Sequence, residues 1–123
     1  MKNLIMILVC LLFTSCEERY SNVKYDVTFN VVNKSSLTIK LDIVEINQNK
    51  FWRDNELEPE DSFEVSFNIK KDIDEAESGF LIKAFKPCGD SIVLNTGYFT
   101  NYQIQGKASQ YYIISDNKID LQN

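Results

Sequence analysis

The sequence contains no histidine. That single absence removes the Ser-His-Asp and Cys-His arrangements of nucleophilic catalysis, the usual zinc sites and the imidazole proton shuttle. Glycine is scarce as well: four residues stand alone at 79, 89, 97 and 106, so no glycine-rich phosphate loop can form. Basic charge is thin, with 13 Lys and Arg against 18 Asp and Glu, and Lys70-Lys71 is the only adjacent basic pair. An acidic chain without a basic stripe is repelled by nucleic acid, because phosphate contacts supply most of that affinity. Anionic lipid would not attract it strongly either.

The three cysteines do not make a disulfide framework. Cys10 and Cys16 lie close together near the start, and Cys88 stands far away in "KPCGD". If the first two are consumed at the N-terminus, Cys88 is left as a turn residue, half-buried or joined to another chain. Lys86 is the nearby cation that could activate its thiol, and Asp90 opposes it.

What is present begins with "MKN" and a ten-residue apolar run, Leu4 to Phe13. A bilayer core needs about 20 apolar residues, so this run has the form of a secretory signal and not of a span. Ordinary signal peptidase requires small residues at alternate positions, and no Ala-x-Ala is available. Phe13-Thr14-Ser15-Cys16 instead resembles the lipobox of bacterial lipoproteins of the Bacteroidota type, with Phe13 in place of the usual Leu. The resemblance implies that residues 1–15 are removed. Cys16 would become the first mature residue and carry a diacylglyceryl group, with an acyl chain on its amine. Two or more chains anchor firmly, since each buried CH₂ contributes about 0.8 kcal/mol. No other cofactor is expected. Glu17 and Glu18 resemble the short acidic signal that sends such lipoproteins to the outer face of the outer membrane. Residues 16–23 then form a short tether, whose Glu17 to Val23 stretch reaches about 23 Å when extended.

Removing 15 of the 123 residues leaves 108, enough for one core without staples. From Tyr25 onward the apolar period is two: Tyr25, Val27, Phe29 and Val31, then after "NKSS" Leu37, Ile39, Leu41 and Ile43. These two strands are expected to pair as a hairpin. A phase slip at Ile43-Val44 suggests a β-bulge. "NQNKFWRDNE" reads as a polar loop carrying Phe51 and Trp52, and the next strand holds Phe63, Val65, Phe67 and Ile69. "KKDIDEAES" reads as a solvated loop or one helical turn. "FLIKAFK" reads as a central strand, and Asp116-Asn117 as a type I′ hairpin turn. The expectation is all-β: a single antiparallel β-sandwich of seven to eight strands over residues 24–123. "FNVVNKSSLTIKLDI" with "LEPEDSFEVSFNI" resembles the opening of immunoglobulin-like and transthyretin-like (prealbumin-like) sandwiches in small bacterial lipoproteins. The Cys pair of a true immunoglobulin domain is absent.

Sandwiches host many functions, so function must come from side chains. The acids at 54–64 and 72–77 could supply a carboxylate pair for a small hydrolase, but such a pair must flank a cleft. "DIDEAE" fails the EF-hand spacing at Ala76, and no metal ligands are assigned. Asp90-Ser91-Ile92 resembles the acceptor triplet for O-glycans in Bacteroidota-type secreted proteins, with Ser91 as the acceptor. Trp52, Tyr98, Tyr102 and Tyr112 are the candidate binding aromatics, able to stack on a glycan or anchor a protein interface. The expectation is a non-enzymatic lipoprotein of the cell envelope, at the outer membrane and surface-exposed, with a periplasm-facing position as the alternative. It would bind a protein or glycan partner or assist an envelope complex. The alternatives are a carboxylate-dependent hydrolase and a purely structural or inhibitory lipoprotein.

Overall fold

Alternating burial marks the first element: Val27, Phe29, Val31 and Asn33 are buried, and the residues between them are half-exposed. The computed structural model describes residues 25–122, so the apolar leader, Cys16, Glu17 and Glu18 lie outside the described residues. The strands are β1 Val27–Asn33, β2 Ile39–Glu45, β3 Phe51–Leu57, β4 Ser62–Phe67 and β5 Ser78–Phe85. They continue with β6 Ser91–Thr100, β7 Gln103–Ile104, β8 Ser109–Ile114 and β9 Ile119–Gln122. One π-helical turn, Ile69–Ile73, precedes β5.

The strands form two sheets, β4-β1-β8-β9 and β3-β2-β5-β6-β7, which together make an all-β sandwich. Nine strands replace the seven or eight expected. All pairs are antiparallel apart from β1 with β8, which run parallel. An immunoglobulin order keeps the first two strands side by side. Here they lie in different sheets, so the immunoglobulin order is not formed.

The expected β1–β2 hairpin does not form, and Asn33 supplies the reason. Its side chain is fully buried and donates to the Leu37 and Leu57 carbonyls, both at 2.9 Å. Its Oδ1 accepts from the Ser35 backbone N–H at 3.0 Å and from the Ser35 hydroxyl. Leu57 closes β3 in the opposite sheet, so these bonds steer the chain across the sandwich end instead of back along the same sheet.

A second correction concerns residues 51–57, expected to be a loop. They form the edge strand β3 against β2, and the bulge sits in β3 itself. Leu41 faces Asn55 and Ile43 faces Trp52, so Arg53 and Asp54 share the place opposite Asp42. Asp54 takes φ 59° and its N–H donates to Asp42 Oδ1 at 2.8 Å. With the extra residue the inward positions become Trp52, Asn55 and Leu57, which no longer alternate. Polar residues are tolerated because an edge strand has one side open to water.

Phe29 stands at the centre of the core. Its ring meets Phe67, Phe80 and Tyr112 edge-on, at centroid distances of 5.3, 5.1 and 5.6 Å. This is the geometry aromatic quadrupoles favour. Gly97, at φ 63°, makes room for it: a Cβ there would lie 2.7 Å from Phe29 Cζ and 2.9 Å from the Phe80 ring.

The Asp116-Asn117 turn does join β8 to β9, with Ile114 opposite Ile119. Neither residue has positive φ, so the turn is not type I′. Asp116 instead accepts the Ser36 N–H at 2.9 Å and its hydroxyl at 3.0 Å, tying the hairpin to the β1–β2 crossing.

Candidate functional site

Loop contacts define the two ends of the sandwich. At one end Asp116 holds Ser36, and Lys34 pairs with Glu60. At the other, Asp26 Oδ1 accepts the Ile69 N–H, Asn47 bonds Glu75, and the Tyr102 N–H donates to the Ala76 carbonyl. The described chain enters at this second end, through Tyr25 and Asp26.

Between the ends runs the outer face of the five-stranded sheet, and strand register places its side chains in rows. Phe51, Val44, Leu81 and Asn95 form one row. Asp42, Lys83 and Val93 form the next, and Glu56, Lys40, Phe85 and Ser91 the last. Nearer the entry end, Ile46 lies over Gly79, where an added Cβ would meet Ile46 Cδ1 at 3.3 Å and Tyr98 Cα at 3.7 Å. Ile46, Phe51, Val93 and Tyr98 are each about half exposed, at 53, 51, 51 and 49%. The Arg53 guanidinium stacks 4.9 Å from the Phe51 ring centroid. The result is an apolar band on a face that covers no core.

The last row opens, at the end opposite Tyr25, into a groove of about 460 Å³ lined by Thr38, Ile39, Lys40, Glu56, Phe85, Lys86 and Pro87. Lys40 sits between Glu56 on β3 and Phe85 on β5.

The candidate aromatics divide. Tyr98 is exposed and its hydroxyl donates to Glu77, a bond to a carboxylate that, with partial desolvation, raises the phenol above its ordinary range. Trp52, in β3 and not in a loop, is half-buried against Phe67 at 5.4 Å, with Lys50 Nζ 5.8 Å from its ring. Tyr102 is half-buried against the core beneath Lys70 Nζ, 5.6 Å from its ring. Tyr112 is no surface contact at all: it is fully buried between the sheets. Its hydroxyl meets Thr96 Oγ1 at 2.8 Å and donates to Gln110 Oε1. Burial pushes its pKa up to about 12, against a smaller lowering by the Thr96 bond. The inward register of β8 decides this, because Tyr112 falls on the same face as Ile114.

Ser91 is exposed at the start of β6, across from Phe85. Cys88 is exposed and not half-buried, a free thiol 3.8 Å from Asp90 Oδ2. The acids of "DIDEAE" face different partners. Asp72 accepts the Asn68 N–H at 2.8 Å, Glu75 binds the Asn47 and Asn49 amides at 2.8 and 2.9 Å, and Glu77 takes Tyr98. Among the described residues no three His, Cys, Asp or Glu side chains converge as a metal site. No helix among them is long and apolar enough to cross a membrane.

Sequence reasoning missed Glu45, which is fully buried. It accepts from the Ser78 hydroxyl at 2.6 Å and the Asn49 N–H at 3.0 Å. With Asn49 also held by Glu75, the carboxylate locks the β2–β3 loop to the segment before β5. The signal that could have found it is its place at the inward end of β2, next to the phase slip.

No protein-family model matches the chain, and no curated protein matches it either. Among solved structures, an NMR structure of a protein from Eubacterium rectale is similar, with a TM-score of 0.59 at 12% identity. The match covers 84% of this chain and 94% of that one. At that identity the likeness is one of fold, and it agrees with the all-β sandwich.

Proposed function

We propose that this protein is a non-enzymatic, lipid-anchored lipoprotein of the cell envelope that docks a protein partner on the outer face of its five-stranded sheet. The observation that carries the reading is the half-exposed band of Ile46, Phe51, Val93 and Tyr98 on one face of the sheet. Single exposed apolar residues are ordinary, but contiguous ones on a sheet that covers no core mark interaction surfaces. Aromatic side chains beside an arginine, as Phe51 with Arg53, are favoured at protein interfaces.

The anchor would be the lipid on Cys16, with Glu17 and Glu18 as the address to the cell surface. Because the chain enters at Tyr25, the entry end would face the membrane and the groove at Lys40 would face away. The outer sheet face would stand upright between them, open to a neighbour in the same envelope. A carboxylate-dependent hydrolase would need two acids across one cleft. Asp72, Glu75 and Glu77 each hold a separate partner, which favours the binding role.

A photo-crosslinking residue placed at 51 or 93 in cells, and at 64 on the opposite sheet as a control, tests the docking face. One adduct of a single size is expected from 51 and 93 and none from 64. No adduct at either face, or the same adduct from all three, removes the reading.

A further inference from the structure

We propose that the groove at the end opposite Tyr25 is a binding site for a polyhydroxylated organic monoanion, the chemistry of a sugar acid. Charge distribution is the first argument. The chain carries a net charge of −5, yet this groove holds two ammonium groups and one carboxylate. Lys34 and Lys118 are neutralised by Glu60 and Asp120, at 2.5 and 3.3 Å. Among the described residues, Lys40 and Lys86 have no carboxylate within 4.0 Å, although Glu56 is the direct cross-strand neighbour of Lys40. Asp116 is close enough to Lys86 for its own pKa to be lowered by that charge, after the larger effect of the Ser36 bonds. Its Oδ1 already takes both Ser36 donors. Two cations thus keep their donors available at one concave place; Lys71, Lys83 and Lys107 also lack an ion pair among the described residues, but none of them lines the groove.

The rest of the lining narrows the ligand. Phe85, 37% exposed, and Pro87 form an apolar floor between the lysines. A ring with a C–H face can lie on such a floor, as flat hydrophobic side chains accept apolar faces in ligand pockets. Lysine is a point charge without the fork that selects a planar carboxylate, so charge is what it selects. Glu56 repels a second negative group and accepts hydrogen bonds from hydroxyls, and Thr38 adds another hydroxyl partner. The groove, at about 460 Å³, falls in the lower range of small-molecule sites and suits one or two sugar rings. The carboxylate would sit at Lys40 and Lys86, the ring over Phe85 and Pro87, and the hydroxyls at Glu56 and Thr38. None of this depends on the outer sheet face being a docking surface.

Calorimetric titration of the purified full-length protein with D-glucuronate tests the site, with D-glucose and hexanoate as the uncharged and the unhydroxylated controls. Saturable glucuronate binding is expected, with each control weaker by about tenfold or more and with affinity falling as salt rises. The double variant Lys40→Gln/Lys86→Gln is expected to weaken glucuronate about tenfold, while Lys107→Gln, away from the groove, leaves it unchanged. Phe85→Ala is expected to weaken it without abolishing the salt dependence. Glucose binding as tightly as glucuronate, glucuronate binding unaffected by the double lysine variant, or no glucuronate binding at all each overturns the proposal.

Discussion

The side-chain amide of Asn33, on β1, donates to the backbone carbonyl of Leu57 on β3 in the opposite sheet, at 2.9 Å. One buried residue thereby satisfies the end of a strand across the sandwich and directs the chain over its edge. Leaving such partners unsatisfied in the interior costs more than the bonds return when made. Asn33→Ala is therefore expected to lower stability by about 2–4 kcal/mol. Urea unfolding of the variant should show the loss as a lower midpoint at an unchanged slope. Ser66→Ala, which removes only the half-buried hydroxyl contact to Thr28, should cost less than half as much.

Gly97 is the second point of strict demand. A methyl group there would collide with Phe29 and Phe80 and would also hold a side chain at positive φ. Gly97→Ala should destabilise by about 2–4 kcal/mol. Adding Phe29→Leu should relieve the collision with Phe29 but neither that with Phe80 nor the backbone strain, so the double variant is expected to fall short of a simple sum of the two losses. Thermal unfolding of the four proteins of this cycle measures the coupling.

Tyr112 makes stability depend on pH at the alkaline end. Its pKa stands at about 12 in the fold against 10.0 in the unfolded chain. Above pH 10 the unfolded chain loses the proton while the fold keeps it, so stability falls as pH rises from about 10 to about 12. Below that window the contribution is fully present. A shift of this size corresponds to about 3 kcal/mol at most. Denaturation midpoints should stay level to about pH 9 and then drop, and the drop should be shallower in Tyr112→Phe. An equally steep fall in that variant would assign the dependence to other groups.

Lipid attachment at Cys16 predicts that metabolic labelling with a fatty-acid analogue marks the wild-type protein and not Cys16→Ala, which should leave the membrane fraction. If Glu17 and Glu18 act as an address, replacing both with Ala should leave the label intact and reduce cleavage by protease added to whole cells. A variant still lipid-labelled at position 16 changed to Ala would refute the anchor.

Ser91, exposed at the start of β6, is open to modification. Mass measurement of the intact protein from its own cells is expected to exceed the polypeptide-plus-lipid mass by a glycan, and Ser91→Ala should remove the excess. A mass without that excess discards the acceptor role.

Much of the fold could be read in advance where one face is buried and the other wet. β1 and β4 alternate as written, and the central place of β5 follows from its apolar run. What could not be read are relationships between distant strands. The extra residue in β3 breaks its period, so Phe51 to Leu57 looks like a loop until the bulge opposite Asp42 is known. Asn33 reads as a turn former, and only its burial shows that it spans the two sheets. Tyr111 and Tyr112 are equivalent in sequence, and the register of β8 sends one outward and the other into the core. Of the candidate site, Tyr98 was legible as an exposed aromatic. The groove was not, since Lys40, Glu56 and Phe85 meet only through the pairing of three strands, and Lys40 and Lys86 are notable only because that pairing brings them to one groove.

The parallel pairing of β1 with β8 sets a condition on how the molecule comes into being. Thr28 finds its neighbour only when Ser109 has been synthesised, and Asn33 waits for Ile114. A chain emerging from its N-terminus can assemble β2, β3 and β5 early, but β1 keeps one edge unfilled until β8 is made. Such long-range closure is slow compared with local contacts. The finished sheet is thus a certificate that β8 has been made: a chain that stops before it leaves β1 open to any other strand that arrives first.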